Sequence, residues 1–196
     1  KKEDSSYNLG LLGYCPSIKR LDRALDILDY LWKEDKRYVL YVKGKSPQEY
    51  DWLWKREKER EYYESVNNRI KQSVWKNSVV FEPWSSDTYD WFYKIGFILS
   101  VSDFESFHLA VAEGMASGSI PVILEREGAG ALYPEQFIFH SPSSASTWID
   151  DNAKNKDSNI LRNFAQEFAR SRYDKDIIGA QWKLLIEQEL RKLTHH

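Results

Sequence analysis

The stretch from Ser102 to Pro121, SDFESFHLAVAEGMASGSIP, carries most of the information about the fold. It lies between two continuous apolar runs, Gly96 to Val101 and Ile120 to Leu124, which have the length of strands covered on both faces. Within it, Phe107 to Ser117 predicts a buried helix, because its residues are apolar all round and Glu113 is its only formal charge. A strand, a helix and a second strand in this order predict a βαβ unit of a parallel sheet.

The rest of the chain continues this alternation. Further strands are predicted at Tyr7 to Gly13, Arg37 to Lys43 and Ser78 to Phe81. Helices are predicted at Lys19 to Trp32, Gln48 to Val74 in one or two pieces, Asp87 to Ile95, Ala145 to Asn152, Asn159 to Arg170 and Ile177 to Lys192. We therefore predict an α/β fold: one three-layer, Rossmann-like domain with a mostly parallel sheet of about six strands. Ligands of such sheets bind beyond the carboxyl ends of the strands, which here are followed by residues 13–20, 102–108 and 125–130.

Size and composition favour a single globular domain over residues 1–196, since domains have roughly 100–200 residues. The net charge of −2, from 28 basic and 30 acidic residues, gives no positive field that would gather nucleic acid. Cys15 is the only cysteine and cannot form an internal disulfide, which fits a cytoplasmic location. No run of residues reaches the ~18 apolar positions of a membrane span, and no metal-ligand spacing is present.

The two ends of the chain carry no functional signal. Lys1 to Asp4 has no signal-peptide hydrophobic stretch, and His195 and His196 are typical of the remnant of a purification tag.

Two carboxylates of the opening stretch are the candidate ligand-binding groups. Glu113 in an apolar helix is costly unless a protein donor or a ligand hydroxyl satisfies it. Glu105 precedes it by eight residues, or about 12 Å of helix, so the pair could contact opposite ends of an elongated polar ligand. The alternative for Glu105 is a capping box with Ser102. The start of the helix also offers free backbone amides for an anion or a sugar oxygen, those of Phe107, His108 and Leu109.

The same stretch resembles the retaining glycosyltransferases of the GT-B fold, family 4 above all. Glu105 and Glu113 match the Glu-x7-Glu motif of that family, in register with Phe107, Leu109, Met115, Ala116, Gly118, Pro121 and Val122. A weaker resemblance extends from Asn8 to Phe139 and includes Gly13, Lys19, Leu21, Asp22 and Ala24 after the first strand. It implies that the chain is the C-terminal, nucleotide-sugar-binding half of such an enzyme, and that the N-terminal, acceptor-binding half lies outside these residues.

The resemblance also implies a role for each site residue. Glu105 and Lys19 would be catalytic, the first facing the donor sugar and the second neutralising the diphosphate leaving group. Glu113 would accept the ribose hydroxyls of the nucleotide. The donor sugar and phosphates would contact Ser106, Phe107, His108, Leu109, Arg20 and Tyr14. The base would be bordered by Val42, Gly44, Pro83 and Trp84. The family needs neither a metal nor another cofactor, since the nucleotide diphosphate sugar is a co-substrate.

Three departures from the family pattern bear on activity. Tyr14 replaces the family's diphosphate-binding arginine, for which Arg20 could compensate. His108 replaces a glycine and is expected to put a side chain where the backbone should approach the sugar. Lys45 follows Gly44 in place of an acidic or small residue. These departures are compatible with an altered donor preference or with a degenerate, inactive copy.

The function expected on this basis is transfer of a hexosyl group, with retention, to a glycan, lipid or protein acceptor, as in bacterial-type polysaccharide biosynthesis. We expect the isolated chain to bind the donor weakly and to transfer nothing. The alternative is a non-catalytic nucleotide-binding or interaction domain of a larger protein.

Two further segments have two interpretations each. Residues 48–76 interleave aromatic and basic side chains, which would suit a peripheral membrane contact, but their many acidic residues favour a solvated helix with inward-packed aromatics. Arg126, in the glycine-containing segment 125–130, could reach a phosphate or could belong to an ordinary loop.

Overall fold

A computed structural model describes residues 3–155 and 158–194, so the interpretation of His195 and His196 lies outside the described residues. Six strands form one sheet in the order β3-β2-β1-β4-β5-β6, and every neighbouring pair is parallel. The strands are β1 (Asn8–Leu12), β2 (Val39–Lys43), β3 (Val79–Glu82), β4 (Phe97–Ser100), β5 (Ile120–Leu124) and β6 (Ile138–Phe139). The predicted α/β fold with a parallel sheet is confirmed. Strand β6 was not predicted, because two residues carry no periodicity.

Nine α-helices are found in the described ranges. They are α1 (Leu21–Glu34), α2 (Asp51–Trp54), α3 (Glu57–Gln72), α4 (Tyr89–Lys94), α5 (Leu109–Ala116), α6 (Ala129–Leu132), α7 (Pro142–Lys154), α8 (Ser158–Tyr173) and α9 (Lys175–Thr194). The segment predicted as helical from Gln48 to Val74 contains both α2 and α3. Helix α5 begins at Leu109, two residues later than predicted, because His108 takes a left-handed backbone conformation there. No helix in the described ranges combines the length and apolar composition that crossing a bilayer requires.

The sheet is covered on both faces, which makes three layers. On one face, helix α7 packs against α1, and Trp148 of α7 contacts the rings of Phe97 and Phe139. On the other face, a smaller apolar cluster joins Trp91 and Phe92 of α4 to Ile98 of β4. Helix α5 covers this second face beside α4 and is itself packed against α8.

Helix α3 packs its aromatic side chains inward, as the mixed charges of the segment favoured. Tyr63 is 2% exposed, and the Tyr62 hydroxyl donates to Asp22 Oδ1 of α1 at 2.7 Å. Trp52 of α2 remains exposed and lies beside the Arg56 guanidinium at 5.2 Å.

Gly96 marks the closest backbone approach in the core. A Cβ atom at this position would lie 1.9 Å from the Ser5 carbonyl oxygen, and backbone cannot move aside as a side chain can. At Gly114 of α5, the corresponding distance to Ile98 Cγ2 is 2.9 Å, so the helix lies directly on β4. Both glycines therefore set how closely the layers can approach.

Replacing Gly96 by alanine should destabilise the protein by about 3 kcal/mol, at the upper end of overpacking penalties, because Ser5 and β4 must separate. Urea unfolding measures the free energy. Gly130→Ala is the matched control, since nothing lies within 4 Å of its added Cβ. An equal effect of the two substitutions would contradict the packing described for Gly96.

Candidate functional site

The candidate site lies at the carboxyl edge of the sheet, where β1, β2 and β4 end. The segments that follow these strands are tied together by backbone hydrogen bonds. The amide of Gly13 donates to Lys43 O at 2.8 Å, and the amide of Asp103 donates to Ile18 O at 3.0 Å. The β1–β4 pair is also where the strand order reverses, which is the usual ligand position in open α/β sheets.

Helix α3 holds the segment that follows β1 in place. The Tyr63 hydroxyl donates to Tyr14 O at 2.9 Å. Both carboxylate oxygens of Glu59 accept from Ser17, one from its amide at 2.9 Å and one from its hydroxyl at 2.8 Å. Helix α3 therefore supports one wall of the site. Nothing in its charge pattern predicted this.

One carboxylate oxygen of Glu105 is bound by neighbouring side chains. Its Oε1 lies 2.5 Å from Lys19 Nζ and accepts from Ser102 Oγ at 2.8 Å. Burial would raise the pKa of Glu105, but the His108 imidazole, the Lys19 ammonium and the Ser102 hydroxyl together hold it below its ordinary value. Lys19 lies in the short 3-10 helix Ser17–Lys19. Ser102 and Glu105 are joined side chain to side chain, not by the side chain-to-backbone bonds of a capping box, and α5 starts at Leu109, so they cap no helix.

The His108 side chain points into the protein. Its backbone has φ 57°, the left-handed conformation that glycine adopts easily, and the side chain is 9% exposed. Nδ1 lies 2.6 Å from Ser100 Oγ at the end of β4. The obstruction expected from a histidine at this position is thus absent, because the imidazole occupies the interior while the backbone takes the left-handed conformation.

Glu113 faces an open cavity of about 340 Å³ at the same edge. The carboxylate is half-buried, and among the described residues it has no hydrogen-bond donor and no cation partner. Burial raises the pKa of Glu113 above its ordinary value. The sequence left two possible partners for Glu113, a protein donor and a ligand hydroxyl. The described residues supply no protein donor. The cavity is lined further by Leu12, Gly13, Tyr14, Cys15, Lys43, Gly44, Lys45, Tyr50, Trp84, Ser85, Ser86 and Thr88.

The four residues expected to border a base are not equivalent. Gly44 and Trp84 line the cavity. Val42 is 0% exposed and belongs to the hydrophobic core, because inward-facing positions of β2 pack under the helices. Pro83 directs its carbonyl at Lys43 Nζ, at 3.2 Å.

Several cavity residues were not predicted as site residues, among them Lys43, Lys45 and Tyr50. Lys45 Nζ lies 5.9 Å from the ring centroids of both Tyr50 and Trp84. The departure from the family pattern at Lys45, noted in the sequence, was the available signal. Lys43 and Tyr50 gave none.

The two residues considered for the role of the family's arginine lie in different surroundings. Tyr14 lines the cavity and is 6% exposed, with its ring 5.6 Å from that of Phe81. The Arg20 guanidinium is paired with Asp22 at 2.8 Å and with Asp103 at 2.9 Å. Two carboxylates therefore already neutralise Arg20, and in this geometry it offers little free charge to a ligand.

Glu113 also borders a second cavity of about 270 Å³ on the far side of α5. Phe107 and Leu109 line it, together with Tyr173 at the end of α8. The Phe107 carbonyl accepts from the Tyr133 hydroxyl at 2.6 Å, which fixes the chain before α5. Ser106 is exposed. Four of the residues assigned to sugar and phosphate binding, Ser106 to Leu109, thus lie at the start of α5, where helical amides lack intrahelical acceptors.

In the described ranges, no group of three or more His, Cys, Asp or Glu side chains is arranged to hold a metal ion.

Comparison with known proteins supports the fold. No family model and no curated protein matches the chain. Among solved structures, the Anabaena protein HepE in complex with UDP and glucose superposes with a TM-score of 0.78 at 17% identity, covering 94% of this chain and 49% of HepE. TarM gives 0.73 at 14% identity, covering 94% of this chain and 36% of TarM.

A third match is a separate domain rather than a whole enzyme. The C-terminal domain of a glycosyl transferase group 1 family protein (LpcC) from Francisella tularensis gives a TM-score of 0.67 at 15% identity, covering 86% of this chain and 87% of that domain. The chain therefore has the fold of the C-terminal, Rossmann-like half of GT-B glycosyltransferases. It spans half or less of the length of HepE and TarM.

The buried imidazole of His108 should make stability depend on pH. Burial lowers its pKa from 6.5 to about 4, so the unfolded chain binds the extra proton in this interval. Stability is complete above pH 6.5 and is lost as the pH falls towards 4, by up to about 3 kcal/mol. His108→Asn, which tolerates the left-handed backbone, should flatten this dependence in urea unfolding series.

His140→Asn is the control, since it removes an imidazole whose side chain is 85% exposed. A His108→Asn variant that keeps the wild-type slope between these pH values would contradict the neutral, buried state of His108.

Proposed function

We propose that the chain is the nucleotide-sugar-binding half of a retaining glycosyltransferase that moves a hexosyl group from a nucleotide diphosphate to an acceptor. The observation that carries the proposal is the Glu113 carboxylate, half-buried and without a protein donor, facing a cavity at the reversal point of the sheet. A ribose supplies two adjacent hydroxyl donors, which suit a carboxylate that has none. The HepE structures with UDP and with UDP-glucose are relatives in fold that hold such ligands.

We propose that the nucleotide base lies at the aromatic end of the cavity and that the diphosphate lies beyond Glu113. We assign Trp84 and Tyr50 to the nucleotide base, since aromatic faces stack on any base. Gly44, which follows β2, would border the base as well. Glu113 would take the ribose. The diphosphate and sugar would then extend towards Lys19 and Glu105, where β1 and β4 end.

The chemistry asks for charge stabilisation more than for covalent help. The bond between the anomeric carbon and the phosphate oxygen breaks, and negative charge grows on the departing diphosphate. Lys19 is the proposed cation, and the first amides of α5 are the proposed dipoles. Glu105 would hold Lys19 in position and face the sugar. No metal enters this proposal.

The acceptor would bind to an N-terminal half outside these residues. The fraction of HepE and TarM that the chain covers supports this part of the proposal. So does α9, which carries many exposed apolar side chains, a surface that soluble domains usually cover. These side chains are Trp182, Leu184, Leu185, Ile186 and Leu190. We propose that the missing half covers this part of α9, and that the acceptor is a glycan, a lipid or a protein.

Glu113→Gln should weaken nucleotide diphosphate binding without harming the fold. The amide loses charge-assisted hydrogen bonds to the ribose, so the Kd should rise about tenfold or more. Because burial raises the pKa of Glu113, its charge at pH 7 disfavours folding, and the variant should have an equal or higher Tm. Calorimetric titration with UDP, GDP and ADP, beside thermal unfolding, measures both.

Glu61→Gln on the exposed side of α3 is the matched control. Nucleotide binding that is indifferent to Glu113→Gln would remove Glu113 from the ribose role. Absence of binding by the wild type at millimolar nucleotide would favour the second candidate function, a non-catalytic interaction domain. The observation that favours this alternative is Tyr14, which stands where the family has a diphosphate-binding arginine.

The isolated chain should bind a nucleotide sugar but not transfer the sugar. Incubation with each donor and a panel of glycan acceptors, followed by mass spectrometry, should give no product, whereas a protein that includes the N-terminal half should give one. Turnover by the 196-residue chain itself would refute the two-half proposal.

A further inference from the structure

Arg126, in the segment that follows β5, is a cation with unused hydrogen-bonding capacity. It is half-buried, and its Nη1 is shielded from solvent without an acceptor among the described residues. A buried N–H of a guanidinium without an acceptor is unfavourable, so such groups in native proteins call for an explanation. A ligand oxygen would supply the missing acceptor.

Three other cations at this edge have carboxylate partners, whereas Lys45, beside Tyr50 and Trp84 in the cavity, contacts only their rings among the described residues. Lys19 is bound by Glu105 at 2.5 Å. Arg20 is bound by two carboxylates, and Arg23 shares Asp103 with it at 2.7 Å. These pairs leave little positive charge for an anion. Arg126 differs from them because no carboxylate is paired with its guanidinium in the described ranges.

The topology puts Arg126 next to the proposed phosphate end. Strand β5 runs parallel to β4, with Ile123 opposite Ser100, so the segments that follow the two strands emerge side by side. Burial lowers the pKa of Arg126, and the charges of Glu105 and Tyr133 oppose that shift. The charges of Lys19 and Arg126 both lower the pKa of His108.

We infer that Arg126 binds the diphosphate of the donor and supplies, beside Lys19, the second positive charge that the leaving group requires. This inference rests on the proposed function and adds a residue to it. A guanidinium offers two parallel N–H donors to phosphoryl oxygens, whereas an ammonium acts as a point charge. The buried, unpaired Nη1 is then a group held ready for a ligand.

The test compares wild type, Arg126→Gln and Arg37→Gln by calorimetry at pH 7. Arg37 precedes β2 at the opposite end of the strand and pairs with Asp35, so its variant matches the change in net charge away from the site. The probes are UDP, GDP and ADP, the three matching nucleosides, and inorganic pyrophosphate. Arg126→Gln should weaken diphosphate and pyrophosphate binding about tenfold or more and leave nucleoside binding unchanged. Its Tm should not fall, since no protein partner is lost.

The possible results of these titrations distinguish a diphosphate-binding role of Arg126 from a structural one. Diphosphate binding by Arg126→Gln at wild-type strength overturns the inference, as does an equal loss of nucleoside and diphosphate binding with a lower Tm, which would indicate a structural role. Pyrophosphate binding that depends on Arg126, in a wild type that binds no nucleotide, supports the anion role and refutes the proposed function. A wild type that binds neither pyrophosphate nor nucleotide refutes both.

Discussion

The pairing of β1 with β4 is the constraint on which the site depends. Leu9 lies opposite Phe97 and Gly10 opposite Ile98, so the segments that follow these two strands leave the sheet side by side. Without that register, Lys19 and Glu105, which are 86 positions apart in the sequence, would not meet. Gly96 permits the register, since any side chain there would collide with the backbone of Ser5. Close packing in the core thus fixes distances at the edge.

The charges at this edge divide into satisfied and unsatisfied groups. Glu105 has a cation and a hydroxyl, and its pKa is held low although burial opposes this. Glu113 has neither among the residues that the structure describes, and its pKa is raised by burial. Within the same ranges, Arg126 Nη1 has no acceptor. A protein gains no stability from an unpaired carboxylate and an unpaired guanidinium, so both groups are best explained as parts of a ligand site, in line with the usual exchange of stability for function.

Much of this arrangement could be predicted from the sequence. The apolar runs around Ser102 to Pro121 gave the parallel sheet, and the apolar surroundings of Glu113 indicated a carboxylate that needs a partner. Three features could not be predicted, each for a physical reason. The inward rotation of His108 depends on a backbone angle that the residue type disfavours. The support of the β1 segment by Glu59 and Tyr63 depends on a long-range contact. The burial of Val42 depends on which face of β2 turns towards the core.

We propose that the Glu113 carboxylate, for which the described residues supply no donor, binds the sugar ring of a nucleotide. A carbon-13 NMR titration of the Glu113 carboxyl, without ligand and with a saturating nucleotide diphosphate, measures this directly. The account predicts a pKa above the ordinary value in the free protein and a clear decrease on binding, because hydroxyl donors favour the charged form. An ordinary or lowered pKa in the free protein, or a raised one that the nucleotide does not change, would contradict it.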